Sequence, residues 1–280
     1  GTSTYDLGAS VTVDSSDNIY VTGYTDGGLD GNIPLGNIDI FLVKYNSSGV
    51  KQWTKQLGTS EIDFGSGLTV DSSDNVYVTG FTAGGLDGNI NIGTNDIFLV
   101  KYYDNGTKQW TKQLGTSEID SGNAVTVDSS DNIYVTGNTK GSLDGNIHLG
   151  NKDIFLVKYN SSGVKQWTQQ LGTSEEDSGA GVTVDSSDNI YVTGHTKGSL
   201  DGYTNSGGSD IFLVKYYDNG TKQWTKQLGT SEYDSANGVT VDSSDNIYVT
   251  GSTNGGLDGN THSGRHDIFL LKYNSSGIKK

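Results

Sequence analysis

The 280-residue sequence contains no cysteine, no methionine and a single proline, Pro34. Without cysteine the chain has no disulfides and no thiolate metal ligands, although this alone identifies no cellular compartment. No apolar run approaches the roughly 20 residues of a membrane-spanning helix, so we expect no membrane insertion. Basic residues number 18 against 33 acidic ones, which gives a net charge of −15. Such a chain lacks the cationic footprint that nucleic acids require, so we expect no nucleic-acid partner.

Repetition is the strongest feature that the sequence does have. The segment that opens with GTS at Gly1 recurs at Gly58, Gly115, Gly172 and Gly229, a fixed step of 57 residues. This period predicts one structural unit copied five times. We place the copies at residues 1–57, 58–114, 115–171, 172–228 and 229–280, within a single domain that spans residues 1–280.

Each copy reads as four short strands, here called A to D. In the first copy, Val11–Asp14 and Ile19–Thr22 flank the polar turn DSSDN, which predicts a tight hairpin. A glycine-rich stretch then leads to Asp39–Tyr45, an apolar run typical of a strand that is covered on both faces. Val50–Leu57 supplies the fourth strand. No segment has the 3.6-residue periodicity of a helix.

The strand pattern predicts an all-β fold, a β-propeller of five four-stranded antiparallel blades with strand A innermost. A β-solenoid is the competing repeat fold, but its coils are normally much shorter than this unit. Large aromatic residues at a fixed position usually fill the space between adjacent sheets. We therefore expect the strand D tryptophans to pack between blades: Trp53, Trp110, Trp167 and Trp224.

The fifth copy ends before its tryptophan. The next member of that series would follow Lys280 directly, so the last blade is predicted to lack most of its outer strand. Strand C of that blade would be an unpaired edge carrying Phe269, Leu270 and Leu271, which invites self-association with another chain. We expect the native protein to continue past Lys280. The missing initiator methionine indicates a mature secreted form or a piece of a longer chain.

The repeated text carries a family resemblance. VTVDSSDNIYVTGYT, followed by GGLDGN and DIFLVKYNSSGVKQWTKQLGTS, resembles the bacterial SBBP β-propeller repeat family, and does so in all five copies. The portion VDSSDNIYV is also similar to the NHL type of propeller repeat. The resemblance implies a propeller, a secreted or cell-surface location in bacteria, and no assigned catalytic activity. It brings no active-site residues that could be transferred to this chain.

Differences between the copies concentrate in two connections, at unit positions 4 to 10 between strands D and A and at positions 24 to 38 between strands B and C. In a propeller these connections emerge on one face, and loops on a rigid scaffold usually carry binding residues. We expect the five residues at position 24 to form a ring that binds a glycan or a protein partner: Tyr24, Phe81, Asn138, His195 and Ser252. The alternative is that these residues pack on the neighbouring blade, or vary because nothing restrains them.

Two series of aspartates suggest chemistry. Those in the Leu-Asp-Gly segments are weak calcium candidates, because oxygen-rich glycine loops suit that ion, although their spacing matches no EF-hand: Asp30, Asp87, Asp144, Asp201 and Asp258. We expect no other cofactor. A second series is reminiscent of the acids of five-bladed glycosidases: Asp6, Asp63, Asp120, Asp177 and Asp234. Equivalent aspartates in matched surroundings do not provide the one protonated and one ionised carboxyl that hydrolysis needs.

The remaining motifs add no catalytic site. His148, His195, His262 and His266 lie in variable loops without metal-ligand spacing, and the Asn-x-Ser/Thr triplets fall where the chain must turn. We therefore predict a non-enzymatic, exported or cell-surface binding or scaffold module. A purely structural repeat of a surface layer or fibre is one alternative, and a five-bladed glycoside hydrolase is another.

Overall fold

Strands make up nearly all of the regular structure. The computed structural model describes residues 1–280. No helix in it has the length and apolar character needed to cross a bilayer. The nineteen strands are β1 Asp6–Val13, β2 Ile19–Thr25, β3 Asp39–Tyr45, β4 Lys51–Leu57, β5 Asp63–Val70, β6 Val76–Thr82, β7 Asp96–Tyr102, β8 Lys108–Leu114, β9 Asp120–Val127, β10 Ile133–Thr139, β11 Asp153–Tyr159, β12 Lys165–Leu171, β13 Asp177–Val184, β14 Ile190–Thr196, β15 Asp210–Tyr216, β16 Lys222–Leu228, β17 Asp234–Val241, β18 Ile247–Thr253 and β19 Asp267–Tyr273.

A short helical turn interrupts every connection between strands B and C. These five 3-10 turns are Leu29–Gly31, Leu86–Gly88, Leu143–Gly145, Leu200–Gly202 and Leu257–Gly259. In the first of them, Leu29 O accepts the backbone N–H of Asn32 at 2.9 Å and its side-chain amide at 2.7 Å. The repeat pattern did not reveal these turns, because three residues are too few to show a helical period.

The A–B turn folds around its first aspartate. Asp14 Oδ1 accepts hydrogen bonds from the backbone N–H groups of Ser16 and Asn18, at 2.9 and 2.8 Å. Asp14 Oδ2 accepts the hydroxyl of Tyr20 at 3.0 Å. Asp17 has a φ of 61°, a left-handed conformation that aspartate adopts more readily than most residues. Turn geometry therefore explains the invariant DSSDN text.

Strand A begins earlier than its β-branched residues indicated. We predicted Val11–Asp14, whereas β1 starts at Asp6 and the other A strands start at the equivalent aspartate. A bulge between Gly8 and Ser10 keeps β1 paired with β2 across these small residues. The extension depends on pairing with strand B rather than on local strand preference, which is why the sequence did not reveal it.

Strand C lies at the centre of each sheet. β3 pairs with β2 on one side and with β4 on the other, so that Leu42 faces Thr22 and Lys55 across the ladders. In the second, third and fourth blades every residue of strand C is buried. This confirms for these three blades, and for all but the last residue of β3, the prediction that strand C is covered on both faces, whereas β19 of the last blade is exposed on one face.

The strands form five antiparallel sheets in the order A-B-C-D. Four sheets have four strands, and the last has three, β17-β18-β19. Only an isolated bridge between Tyr273 and Lys279 marks the beginning of a fourth strand there. The fold is therefore the predicted five-bladed β-propeller, with a short last blade.

The strand D tryptophans pack against the next blade, as predicted. Trp53 Nε1 donates to Asp104 O at 3.2 Å, and the Trp53 ring lies 6.0 Å from the ring of Tyr20. Gly106 in the next C–D turn makes room for this indole, because a Cβ there would lie 3.1 Å from Trp53 Cδ2. Glycine is therefore favoured at this position for two reasons: the turn needs a positive φ, and the indole leaves little room for a side chain.

The predicted strand C edge of the last blade is confirmed by its three-stranded sheet, but the three apolar residues on it differ in exposure. Phe269 and Leu271 are buried, at 9% and 6% exposure, whereas Leu270 is 69% exposed. Successive side chains of a strand point to opposite faces of the sheet, so only every second residue of β19 faces solvent. The exposed apolar surface of this blade is therefore a sheet face, in addition to a strand edge.

The chain divides into two compact units. Unit 1 comprises residues 1–135 and 160–164, and unit 2 comprises residues 136–159 and 165–280. The core of unit 1 includes Tyr20, Leu42 and Phe98. The core of unit 2 includes Tyr191 and Leu213. That the whole chain forms a single domain stays a prediction.

Candidate functional site

The B–C and D–A connections lie together, as the sequence analysis predicted. In unit 1, the N–H of Asp63, where β5 begins, donates to Ile38 O at 2.9 Å. In unit 2, Asn254 N donates to Tyr233 O, also at 2.9 Å. The loop face is defined here as residues 26–38 and 58–62, their equivalents in the other blades, and the adjoining strand ends. It contains most of the positions that vary between blades.

The position-6 aspartates close the D–A turn. Asp63 is fully buried, and its Oδ2 accepts the N–H and the hydroxyl of Thr59 at 2.5 and 2.9 Å. Burial raises the pKa of Asp63 and of Asp177, although threonine hydrogen bonds oppose the shift. At Asp6, which is less buried, the hydrogen bond from Thr25 lowers the pKa. The expectation of matched surroundings is therefore wrong at Asp6. Equivalent threonine contacts at all five positions nevertheless give these carboxylates a structural role.

Four aromatic rings form a continuous series on the loop face of unit 1. Tyr24, at the predicted ligand position, has its ring centroid 4.1 Å from that of Phe64. Phe64 stacks on Phe81, the position-24 residue of the second blade, at 4.8 Å and an interplanar angle of 21°. Tyr5 lies 6.0 Å from Tyr24 and is 58% exposed. These four residues are called the aromatic run below.

Phe64 was not among the predicted ligand residues, although the sequence contained a signal for it. Phe64 pairs with Phe81 across β5 and β6, and Leu7 pairs with Tyr24 in the same way in the first blade. Unit position 7 is thus the cross-strand neighbour of position 24, and both lie in variable segments. An antiparallel pairing of strands A and B, if its register had been assumed, would have placed positions 7 and 24 opposite each other. Tyr5 had no comparable signal, because it precedes the strand.

In unit 2 the same positions carry polar groups. Asn138 Nδ2 lies 3.2 Å from Ser178 Oγ, and His195 Nδ1 lies 3.4 Å from Ser235 Oγ. Ser252 pairs with Ser235 across β17 and β18. Within this unit, Asn138 and His195 therefore each contact position 7 of the following blade. The loop face here offers amide, imidazole and hydroxyl groups, and ligand binding by them stays a prediction.

The pKa of His195 is lowered, and the neighbouring charge of Glu176 is balanced by two lysines. Burial lowers the pKa of His195 below the usual value of 6.5, against the raising effect of Glu176. Glu176 is bound by two lysines, with Lys197 Nζ 2.6 Å from Oε2 and Lys152 Nζ 3.0 Å from Oε1. These hydrogen bonds lower the pKa of Glu176 to about 2. The imidazole can therefore donate and accept hydrogen bonds without carrying charge at neutral pH.

The calcium candidates already have partners. Asp30 has a φ of 52°, Lys51 Nζ donates to its Oδ1, and Thr54 Oγ1 donates to its Oδ2. The lysine hydrogen bond lowers the pKa of Asp30. The same pair of contacts recurs in the next three blades, and Lys279 binds Asp258 in the last. No group of three or more acidic or histidine side chains is arranged to hold a metal ion. Calcium would have to displace Lys51 and Thr54 from Asp30.

Other sequence motifs also have local structural roles. Asn46, in the first Asn-x-Ser triplet, accepts the backbone N–H of Val50 on Oδ1 at 2.9 Å, which closes the C–D turn. His148 Nδ1 lies 3.3 Å from Asp153 Oδ2, at the start of strand C. These contacts account for the two motifs through turn formation and loop anchoring.

Comparisons with known sequences agree with this architecture. The family model described as SBBP: Beta-propeller repeat matches residues 1–30, 52–87, 109–144, 166–201 and 223–258. Uncharacterized WD repeat-containing protein L264 of Acanthamoeba polyphaga mimivirus is 29% identical over 310 aligned residues, which cover 80% of this chain and 22% of that protein. Regulatory protein FlaEY of Caulobacter vibrioides is 29% identical over 182 residues, which cover 60% of this chain and 19% of that protein. The chain thus spans about a fifth of the length of these curated relatives.

A solved structure shares the fold. An ulvan lyase, described as a new family of polysaccharide lyase, superposes with a TM-score of 0.52. The superposition covers 96% of this chain and 68% of the lyase, at 14% sequence identity. At this identity the likeness concerns the fold alone.

Proposed function

The chain belongs to the SBBP beta-propeller repeat family, and from that premise we propose that it is a non-catalytic, secreted or cell-surface binding module. Its ligand is a glycan, which it takes on the loop face of unit 1. The observation that carries this proposal is the aromatic run, from Tyr5 through Tyr24 and Phe64 to Phe81.

The aromatic run has the chemistry of a sugar-binding surface. Tyr5 is mostly exposed, and Tyr24, Phe64 and Phe81 are each partly exposed rather than buried in the core. Flat aromatic surfaces can stack on the C–H face of a pyranose ring, and the two tyrosine hydroxyls can hydrogen-bond to its hydroxyl groups. Binding sites typically combine an apolar surface with a few polar groups in this way.

Several acidic and basic side chains of the loop face are already hydrogen-bonded to other side chains, which supports a role without catalysis. The position-6 carboxylates are bound by threonine, as at Asp63, and the B–C loop carboxylates are bound by lysine, as at Asp30. Glu176 is bound by two lysines, and His195 faces a serine hydroxyl at 3.4 Å. General acid-base catalysis needs a pair of titratable groups that can reach the substrate. The carboxylates of Asp63, Asp30 and Glu176 and the imidazole of His195 are each engaged in this way.

A glycan array on the 280-residue chain tests the proposal, followed by calorimetry with the glycans that bind. We expect Tyr24→Ala and Phe81→Ala each to weaken binding by about fivefold, since stacking contributes on the order of 1 kcal/mol per ring. Tyr103→Ala is the matched control. Tyr103 is 50% exposed but lies in a C–D turn, away from the loop face.

Two results would contradict the proposal. One is binding that survives both substitutions in the aromatic run, and the other is an equal loss in the Tyr103→Ala control. Melting temperatures of all variants are compared, so that a loss of binding is not confused with unfolding. An array with no positive glycan would favour the alternatives, a protein ligand or a purely structural repeat. Fractionation of the source cells tests the proposed location separately.

A further inference from the structure

Every blade has two faces with different roles, which the seam between the first two blades illustrates. Three residues of the first blade define its forward face: Tyr20, Ile40 and Leu42. They share one core cluster with residues of the second blade that define its rear face: Leu68, Val78, Phe98 and Val100. When residues are counted from the first residue of each 57-residue copy, position 11 lies on the rear face, and positions 40 and 42 lie on the forward face. An apolar forward face thus packs against an apolar rear face.

The seam between the fourth and fifth blades, in unit 2, uses the same positions. Its forward face is formed by Tyr191, Ile211 and Leu213. Its rear face is formed by Val249, Phe269 and Leu271. Two independent seams therefore define one interface type for this repeat.

Two polar contacts accompany the apolar seam. Ser15 in the forward blade donates its N–H and its hydroxyl to Asp74 of the next blade, at 3.0 and 2.9 Å. Lys44 Nζ donates to the carbonyl of Asp104 in the next C–D turn at 3.3 Å. Ser186 binds Asp245 in the same way across the seam between blades four and five, and Lys215 binds the carbonyl of Ser275. These contacts fix the register of one blade on the next.

The fifth blade exposes its forward face. Ile268 is 92% exposed and Leu270 is 69% exposed, whereas the equivalent residues Ile211 and Leu213 are each 2% exposed. Ser243, the counterpart of Ser186, is exposed and makes no hydrogen bond through its side chain. The strand C side chains and the serine donor of this half of the seam are therefore present and unused.

The first blade exposes the strand A part of its rear face, whereas Phe41 and Val43, further out on the same face, are each only 7% exposed. Val11 is 65% exposed, whereas its equivalent Leu68 is 7% exposed. Val13 is also exposed, at 54%. Asp17, the counterpart of the acceptor Asp74, is exposed and its carboxylate has no hydrogen-bond partner. Ser47 carries the carbonyl that corresponds to Asp104 O. The strand A side chains and the polar acceptors of this half of the seam are therefore present and unused.

We infer that the chain associates head to tail, with the forward face of the fifth blade of one copy packed on the rear face of the first blade of a second copy. The occupant is a second copy because this chain displays both halves of an interface that it already forms at its internal seams. Ile268 and Leu270 would meet Val11, while Ser243 would donate to Asp17. This contact buries a sheet face, and it is distinct from pairing at the unfinished strand edge that the sequence suggested.

The contact is heterologous, since it joins two different surfaces. Such interfaces build closed rings or open filaments, depending on the rotation between successive copies. The contact is also weaker than an internal seam, because the fifth blade has no tryptophan equivalent to Trp224 to pack on the next C–D turn. A reversible, concentration-dependent assembly is therefore expected.

Sedimentation velocity over a wide concentration range tests the inference on the 280-residue chain. The mean mass of the unaltered protein should rise with concentration. Leu270→Asp should abolish association by blocking the forward face, and Val11→Asp should do so by blocking the rear face. Ile147→Asp is the matched control, because Ile147 is 75% exposed but lies in a B–C loop, and this variant should associate normally.

Mixing the two blocked variants gives the sharpest result. Each retains one intact face, so an equimolar mixture should form a dimer of one copy of each and nothing larger. Asp17→Ala should weaken association by about tenfold or more, because it removes hydrogen bonds to a charged acceptor. Circular dichroism confirms that each variant is folded. The inference is overturned by an unaltered protein that stays monomeric at every concentration, by a mixture that stays monomeric, or by a loss of association in the Ile147→Asp control.

Discussion

Position 42 of the repeat provides a test of the blade arrangement in which one sequence context occurs both buried and exposed. Leu213 is 2% exposed in the seam between the fourth and fifth blades, and Leu270, at the same position of the fifth blade, is 69% exposed. Both residues follow the sequence Asp-Ile-Phe in the middle of strand C. We predict that Leu213→Ala strongly destabilises the protein and that Leu270→Ala has almost no effect.

The expected magnitude follows from burial. A fully buried leucine replaced by alanine loses its transfer free energy and leaves a cavity, at a total cost of about 2–5 kcal/mol. A mid-range cost of about 3 kcal/mol would lower the melting temperature by roughly 6–12 °C in a chain of this size. An exposed leucine far from any special backbone feature changes the free energy of unfolding by about 0.5 kcal/mol or less. The difference between the two variants is thus several times larger than the error of the measurement.

Urea unfolding followed by tryptophan fluorescence is the appropriate assay, since Trp224 lies in the same cluster as Leu213. The protein should be dilute, so that association through the fifth blade does not cover Leu270. Comparable slopes against urea in both variants would show that the comparison of stabilities is valid. Equal destabilisation by the two substitutions would refute the assignment of buried and exposed faces.

Three further predictions concern ions and protons. Millimolar calcium should leave the melting temperature unchanged, because Lys51 and Thr54 occupy the Asp30 carboxylate; a clear rise would reveal a calcium site instead. Glu176 has a folded pKa of about 2 against 4.5 for the free side chain, so the stability that it adds above pH 4.5 should be lost as the pH falls towards 2, and Glu176→Gln should flatten stability in that window. The imidazole of His195 should titrate below pH 6.5 by NMR; a midpoint above that value would contradict its burial.

The features that the sequence predicted correctly are those in which local preference and the repeat agree. Asp39–Tyr45 is apolar, is bounded by turns and recurs in every copy, so its strand was predicted to the residue. The short last blade followed from counting tryptophans against the period. Pattern and period are reliable here because each blade must bury the same positions against its neighbours.

The features that the sequence did not reveal depend on pairing across strands or on very short turns. The position of Phe64 beside Tyr24 arises from the register between β5 and β6 and the packing of one blade on the next, which no single segment encodes. The lysine contacts of Asp30 join residues 21 positions apart through a left-handed aspartate that turn statistics alone do not specify. Both features bear on the candidate site. Fold was therefore easier to predict than function.

The repeated Ser–Asp contact between blades also has a consequence for how the chain reaches its folded state. Since Ser15 and Asp74 form the same pair as Ser186 and Asp245, the seams alone hardly distinguish a correct neighbour from any other blade. During folding, correct pairing must rely on the short segments that join consecutive blades, such as residues 58–62. A blade from another molecule is chemically an equally good partner. Refolding at high concentration should therefore yield exchanged, misassembled species, a known hazard of proteins built from near-identical repeats.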